Sequence, residues 1–260
     1  KLYNVNLLNL SLEDILKVDV HLDLTEDEIQ KVEKITRKQR KSKNWILLRA
    51  GRITASVFKQ SVRTNCEKPS ISLIKKICYP EQNKALSPAI LHGIRYEHTA
   101  YVTYKNQMRL LHPDFKIRKS GLILNCEYPQ FGASPDGITV CKCCGEGILE
   151  IKCPELLSKY SFRALQSKPG FCIKNGELDR NHEYYYQIQM QIFLSNSKYA
   201  DFVVWSPHEP LYYERVYPDE GFWLSASFRA TAFFKTCIIP ELLAHYYTKK
   251  NEVEKNNNSK

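Results

Sequence analysis

Apolar residues recur along the chain with two spacings, one typical of helices and one typical of strands. A segment that opens at Ser87 and Pro88 carries apolar residues every three or four positions as far as Met108, which predicts a long helix. Beyond it the apolar runs shorten and turns separate them, which predicts strands. The predicted strands cover 116–124, 131–136, 138–141, 147–152, 202–205 and 212–216. Further helices are predicted at 45–49, 155–166, 181–195 and 219–248, the last interrupted at Pro240.

This order of elements predicts an α/β domain in which a central mixed β-sheet is flanked by helices on both faces. Thr25 and Glu28 form a capping box, and the helix that they open is expected to run into the basic stretch 37–43. That stretch fits a solvated helix face or a surface that follows phosphates, and the pattern does not decide between them. We divide the chain into a helical arm at 1–44, a main domain at 45–248 and a polar tail at 249–260.

Composition narrows the class of protein. The 260 residues are 43% hydrophobic and 25% charged, and no apolar run approaches the roughly 18 residues of a membrane helix. The net charge of +10 favours a polyanionic partner such as nucleic acid, although it also serves solubility alone. Nine cysteines, an odd number, argue against a disulfide framework and for a reducing compartment. We therefore expect an intracellular protein with no membrane partner.

The strongest chemical signal is an aspartate at a Pro–Gly turn, followed by a Glu-Ile-Lys strand. Glu150 and Lys152 are two residues apart on that strand, so their side chains share one face. An antiparallel neighbour would bring Asp136 beside Glu150, and adjacent carboxylates are unfavourable unless a cation lies between them. Such ligands, with the carbonyl of Ile151, suit Mg²⁺, and Lys152 would orient or deprotonate a water or stabilise a phosphate. The alternative is a surface hairpin with a cross-strand ion pair.

Two predicted helices carry polar residues that a plain core does not need. Glu97, on the helix before the sheet, is either an exposed acid or a third metal-binding carboxylate. On the later helix, Gln187 and Gln191 are four residues apart and share a face with Tyr184. Inward-facing amides on a Tyr-rich helix are suited to holding water, a carboxylate or a phosphate. A half-exposed helix with packed tyrosines would show the same pattern.

A candidate anion pocket lies in the segment 45–56. Arg49 and Arg52 flank a glycine turn, and the hydroxyls of Thr54 and Ser56 precede a predicted short helix. Arginine, hydroxyls and a helix N-terminus together are typical of a pocket for an anion. The alternative is that Thr54 or Ser56 caps the helix while the arginine faces solvent.

Together these features resemble the YqaJ viral-recombinase domain, one of the lambda-exonuclease-type nucleases of the PD-(D/E)xK superfamily. The matching motifs occur in the family's order, which makes five modest matches specific together. They are W-x3-R-x-G-x-I-T-A-S at 45–56, G-x3-E at 93–97, S-P-D-G at 134–137, L-E-I-K-C-P at 149–154 and Y-x2-Q-x-Q at 184–189. The resemblance extends over about 45–217 and implies a restriction-endonuclease-like core.

The resemblance also implies a role for each matching residue. Metal binding is assigned to Glu97, Asp136, Glu150 and the carbonyl of Ile151; catalysis to Lys152 and Gln187 with the three acids; and phosphate or DNA binding to Arg49, Arg52, Thr54, Ser56, Ser134 and Tyr184. The implied metal is Mg²⁺ or Mn²⁺, and the pocket around Arg49 would bind a terminal 5′-phosphate.

A thiol-rich hairpin departs from the plain family pattern. Cys141, Cys143 and Cys144 lie in one predicted turn, and Cys153 follows on the next strand. Four such ligands would suit a structural Zn²⁺. However, the C-x-C-C spacing is not that of a standard C-x2-C knuckle, and neighbouring cysteines on a strand point to opposite sides. Buried free thiols are the alternative.

The resemblance implies a Mg²⁺-dependent DNA nuclease that digests linear double-stranded DNA from a free end in the 5′→3′ direction. A non-catalytic nucleic-acid-binding module, with or without zinc, and an endonuclease or nickase of the same fold remain alternatives. A homo-oligomer and a single-strand annealing partner would suit such an exonuclease, although no motif specifies either. The cysteine-rich hairpin resembles the eukaryotic and mobile-element branch of the family, which favours the nucleus over the cytoplasm.

Overall fold

A computed structural model describes residues 3–80 and 86–249. The helices are α1 Leu12–Leu16, α2 Glu26–Ile35, α3 Lys43–Arg49, α4 Phe58–Arg63, α5 Ile71–Cys78, α6 Pro88–Leu111, α7 Phe162–Gln166, α8 Glu183–Ser195, α9 Glu220–Phe233 and α10 Ile239–Ala244. The strands are β1 Ile53–Thr54, β2 Lys116–Arg118, β3 Phe131–Gly132, β4 Gly137–Cys141, β5 Gly145–Lys152, β6 Ile173–Lys174, β7 Glu177–Leu178, β8 Ala200–Val204 and β9 Tyr212–Val216. The predicted tail at 249–260 lies, apart from its first residue, outside the described residues.

The central sheet has five strands in the order β2-β4-β5-β8-β9. Strands β5 and β8 pair in parallel, whereas the other three pairings are antiparallel. Helix α6 covers one face, where Tyr104 packs with Ile151. Helix α8 covers the other face, where Ile188 packs with Ile148. The predicted α/β architecture, a mixed sheet with helices on both faces, is therefore confirmed.

Alternation along β5 explains why this strand can carry both core and polar groups. Leu149 and Ile151 point towards α6, and Ile148 points towards α8 together with Glu150. Because both faces are covered, Glu150 enters an apolar layer and must find polar partners there. The N-terminal arm packs elsewhere, with Ile15 of α1 fully buried against the end of α10.

The basic stretch 37–43 does not continue a helix, contrary to the prediction. Helix α2 ends at Ile35, because Thr36 turns its hydroxyl back to the carbonyl of Val32 at 2.6 Å and accepts the N–H of Leu122 at 2.7 Å. A 3₁₀ turn over Gln39–Lys41 follows. The basic side chains therefore lie on a compact turn beside the sheet.

The predicted break at Pro240 is replaced by a π-helical turn at Phe234–Ile238, which joins α9 to α10. Pro240 lies in the first turn of α10 and has no N–H to offer to the carbonyl of Thr236. The hydroxyl of Tyr247 donates to that carbonyl at 3.1 Å instead. Throughout the described ranges, no helix is both long enough and apolar enough to cross a membrane.

Candidate active site

A cleft of about 640 Å³ opens where β4 begins and β5 ends, beside the first half of α6. The carboxyl groups of Glu97, Asp136 and Glu150 line it together with Lys152 and Tyr184. The structure therefore brings the acids and the lysine that the sequence singled out into one cavity.

Asp136 occupies the position where the β4–β5 ladder ends. Strand β4 begins at Gly137, so the N–H of Ile151 has no strand partner on that side, and the Asp136 carboxylate accepts it at 2.7 Å. The N–H and carbonyl of a strand residue point to the same neighbouring strand. The carbonyl of Ile151 therefore also points to the side of the strand on which Asp136 lies.

Glu150 is held in the interior by two amides and an amine. Gln187 and Gln191 donate to its two oxygens at 2.6 and 2.7 Å, and the Lys152 ammonium lies 2.8 Å away. The carboxylate is only 4% exposed, so these donors replace the water that it would otherwise bind. The inward amides of α8 thus hold a carboxylate, one of the ligands that their spacing indicated.

Lys152 is fixed on three sides. Its ammonium contacts Glu150, donates to the Gln187 carbonyl oxygen at 3.1 Å and lies 4.3 Å from the centre of the Tyr184 ring. Burial by itself lowers the pKa of Lys152, but Glu150, Tyr184 and Asp136 together outweigh it, so the net pKa is raised above its usual range.

The acids of the cleft repel one another. Burial raises the pKa of Asp136 well above its usual range, and the carboxylates of Glu150 and Glu97 raise it further. Glu97 is 43% exposed and pairs with Lys119 at 3.0 Å, a partner that sequence reasoning missed because it lies on a loop distant along the chain. A divalent cation would relieve this repulsion, and the oxygen donor set suits Mg²⁺ or Mn²⁺.

A basic groove adjoins the cleft and shares Glu97 with it. The groove encloses about 410 Å³ and is lined by the segment 37–41, by His98 of α6 and by Lys119. Positive side chains next to a cluster of acids that can bind metal favour the second interpretation of this segment, a surface that follows phosphates.

The predicted anion pocket is present as a cavity of about 220 Å³ lined by Arg49, Arg52, Thr54 and Ser56. Arg49 stacks on Trp45, with its guanidinium carbon 3.8 Å from the ring centre. Its buried Nε has no hydrogen-bond partner among the described residues, and burial lowers the pKa of Arg49 to about 10. None of the described residues lining the pocket carries a carboxylate, so Arg49 lacks a protein counter-anion there.

Thr54 and Ser56 line the pocket as predicted and do not follow the capping alternative, whereas Ser134 takes a different position. Thr54 and Ser56 cap no helix with their side chains, and their hydroxyls bond each other at 3.3 Å beside Arg49. Ser134 does not line the pocket, because its hydroxyl accepts the Trp45 indole N–H at 2.9 Å. Lys76, from the end of α5, lines the pocket, and no local motif marked it.

The thiol cluster differs from the predicted one in a single member. Cys141, Cys143 and Cys144 lie together, but the fourth group is His112 rather than Cys153. Cys153 follows the far end of β5 and lines the acidic cleft, nine residues beyond Cys144, the last residue of the hairpin turn. The strand argument against adjacent ligands fails as well, because residues 142–144 form a turn.

Known structures share this fold. An alkaline exonuclease (LHK-Exo) from Laribacter hongkongensis matches with a TM-score of 0.56 and 22% identity over 82% of this chain and 99% of that one. The shutoff and exonuclease protein from Kaposi's sarcoma-associated herpesvirus matches with a TM-score of 0.56 and 14% identity over 94% of this chain and 77% of that one. A SOX–DNA complex gives a TM-score of 0.56 at 15% identity, over 91% and 75% of the two chains. No curated protein matches the chain in sequence.

These likenesses confirm the predicted restriction-endonuclease-like fold of the lambda-exonuclease type. The family model for the YqaJ-like viral recombinase domain matches residues 44–198, more than half of the chain. That range contains all five sequence motifs and every residue assigned to the cleft and the anion pocket. The chain belongs to the family of YqaJ-like viral recombinase domains.

Proposed function

We propose that this chain is a metal-dependent DNA nuclease that degrades linear duplex DNA in the 5′→3′ direction. The observation that carries the proposal is the convergence of Glu97, Asp136, Glu150 and Lys152 in one cleft. The matching structures support it, since one is an alkaline exonuclease and another is a SOX–DNA complex.

The metal would be Mg²⁺ or Mn²⁺, held by Asp136, Glu150 and the carbonyl of Ile151, with Glu97 completing the set. The raised pKa of Asp136 supports this assignment: burial is the main cause, and the carboxylates of Glu150 and Glu97 lie close enough to raise it further. When bound, the ion supplies a Lewis acid that activates water and neutralises charge on the phosphate.

Lys152 and Gln187 would position the reacting groups. The Lys152 ammonium, confined by Glu150 and the Tyr184 ring, donates hydrogen bonds into the cleft and stabilises negative charge on the scissile phosphate. Gln187 bonds both Lys152 and Glu150, so it fixes the distance between the cation and the carboxylate. These contacts would orient Lys152 and Glu150 before DNA binds.

The direction of degradation would be set by the pocket around Arg49. A terminal 5′-phosphate matches two hydroxyls, Lys76 and a buried guanidinium whose Nε has no hydrogen-bond partner in the part of the chain that the structure describes. The basic groove along 37–41 would carry the duplex past Glu97. Degradation of one strand exposes the other strand, which a single-strand annealing partner could then bind. We therefore include such a partner in the proposal, together with a homo-oligomer that stays on the DNA.

The test is digestion of a linear duplex with 5′-phosphates, in Mg²⁺, in Mn²⁺ and in EDTA. We expect metal-dependent release of nucleotides, and a loss of roughly a thousandfold or more in Lys152→Met and Glu150→Gln. Lys17→Met, which removes an exposed lysine of the arm, is the matched control and should keep full activity.

Two results would redirect the assignment. Salt-sensitive DNA binding without cleavage in any metal would indicate a non-catalytic binding module. Cleavage of covalently closed circular DNA would indicate an endonuclease, because an exonuclease leaves that substrate intact.

A further inference from the structure

A second cluster of metal-binding side chains lies at the hairpin between β4 and β5, away from the acidic cleft. His112, Cys141, Cys143 and Cys144 each offer one ligand atom, and these four atoms all lie within 4.8 Å of one another. Cys143 is central, with its sulfur 2.9 Å from that of Cys141, 3.5 Å from that of Cys144 and 3.1 Å from the His112 Nδ1.

The fold brings these residues together from two elements. His112 follows the last residue of α6 in extended conformation, and its N–H still donates to the carbonyl of Met108 at 2.8 Å. Cys141 ends β4, and Cys143 and Cys144 lie on the turn that leads to Gly145, whose φ of +79° reverses the chain. Asp114, two residues after the histidine, accepts the N–H of Lys142 at 2.8 Å and so fixes the turn against the end of α6.

The distances suit one tetrahedral ion. Zinc bonds of about 2.3 Å to sulfur and 2.0–2.1 Å to nitrogen place the ligand atoms of a tetrahedron about 3.5–3.8 Å apart. The contacts around Cys143, and the 3.9 Å between Cys144 and His112, scatter about that value. Small rotations of the exposed Cys143 and the half-exposed Cys144 around the buried Cys141 would regularise them.

The surrounding charge also suits such a site. Three thiolates around Zn²⁺ leave one net negative charge. The guanidinium of Arg215 lies near the sulfur of Cys144, and it donates to the two carboxylate oxygens of Asp201 at 2.8 and 3.0 Å. A guanidinium held in place by Asp201 therefore lies beside the thiolates, as outer-shell groups do around structural metals.

We propose that His112, Cys141, Cys143 and Cys144 bind one structural Zn²⁺. Four protein ligands leave no open position for water or substrate, so the ion serves the fold rather than the chemistry. It joins the C-terminal end of α6 to the β4–β5 hairpin. The other ends of these elements carry Glu97, Asp136 and Glu150, so zinc would fix the helix and the strands that supply the three acids.

The site is separate from the nuclease cleft and does not depend on the proposed function. Along α6, His112 lies 15 residues beyond Glu97, about 22 Å at 1.5 Å per residue. Zinc content can therefore be measured without reference to cleavage, and a variant of the cleft serves as a control.

The experiment measures zinc by elemental analysis of full-length protein produced with added Zn²⁺ and purified under reducing conditions without chelator. We expect one zinc per chain. Cys143→Ser and His112→Ala should lose the zinc and have a lower melting temperature. Cys126→Ser, which changes an exposed cysteine outside the cluster, should keep the zinc and the wild-type melting temperature. Glu150→Gln should also keep the zinc, which separates this site from the cleft.

Cobalt gives a second measurement that does not depend on stability. Co²⁺ substituted into the protein should give the visible absorption of a tetrahedral thiolate site, and Cys143→Ser should lose it. Protein without zinc, a Cys141–Cys143 disulfide found by mass spectrometry in place of the metal, or zinc retained in both ligand variants would overturn the proposal.

Discussion

The indole N–H of Trp45 donates a 2.9 Å hydrogen bond to the hydroxyl of Ser134. The same indole ring stacks against Arg49, the buried arginine of the anion pocket. Ser134 lies two residues before Asp136. One side chain therefore contacts both the arginine assigned to the terminal phosphate and the segment that carries a metal-binding acid.

This contact predicts an energetic coupling between Trp45 and Ser134. Trp45→Phe keeps an aromatic ring for Arg49 but removes the donor, and Ser134→Ala removes the acceptor. A double-mutant cycle on the free energy of unfolding should give a coupling of about 0.5–1.5 kcal/mol, the net value of a partly buried hydrogen bond. Additive effects would mean that the bond contributes nothing to stability.

Arg49 should determine the preference for phosphorylated ends. Arg49→Gln removes the guanidinium, so we expect kcat/KM on a 5′-phosphorylated duplex to fall roughly 10- to 100-fold, with little change on a 5′-hydroxyl duplex. Arg63→Gln, at the end of α4 and outside the pocket, is the matched control. An equal loss on both substrates would show that Arg49 supports the fold and does not recognise the 5′-phosphate.

Two glutamines on α8 should separate positioning from folding. Gln187→Leu leaves Glu150 and Lys152 without their shared partner, so kcat should fall roughly 10- to 100-fold in folded protein. Gln189→Leu removes contacts to the carbonyl of Tyr217 and the N–H of Asp219, so it should lower the melting temperature and leave kcat per folded molecule intact. Identical behaviour of the two variants would contradict the positioning role.

Glu33 should stabilise the protein in a pH-dependent way. Burial alone raises the pKa of Glu33, but hydrogen bonds from Arg37, Arg118 and the N–H of Gly121 outweigh it and lower the net pKa. A carboxyl with a lowered folded-state pKa contributes stability above the unfolded value of about 4.3 and loses it as pH falls through the folded value.

Glu33→Gln should therefore cost about 1–3 kcal/mol of unfolding free energy at pH 7, and the difference from wild type should shrink below about pH 4. Denaturant unfolding across pH 3–7 measures it. Glu13→Gln, an exposed acid of the arm, is the control with no expected effect. A difference that stays constant over the whole range would rule out the charge as its origin.

Local signals explain which parts of the molecule the sequence predicted. Ser87 and Pro88 mark the start of α6, and the turn at Asp136 marks the start of β4, because capping and turn chemistry act over a few residues. Side chains alternate between the two faces of a strand, so Glu150 and Lys152, which are two residues apart, were expected on the same face. The amides of α8 were recognisable because polar groups on an inward face need a polar partner.

Contacts between distant segments explain what was missed. His112 joins the cysteines only because α6 packs along the sheet, and no spacing connects it with Cys141, 29 residues away. The basic stretch leaves its helix because Thr36 bonds the N–H of Leu122, a tertiary contact. Lys119 reaches Glu97 for the same reason. Such pairings depend on the completed fold.

The most direct measurement is the position of Mn²⁺ located by its anomalous scattering in crystals of this protein. The account predicts one ion bound by the carboxylates of Asp136 and Glu150 and by the carbonyl of Ile151, with Glu97 in reach and Lys152 beside it. An ion bound at another place, or crystals that bind none at millimolar Mn²⁺ while these side chains keep their positions, would contradict the central claim.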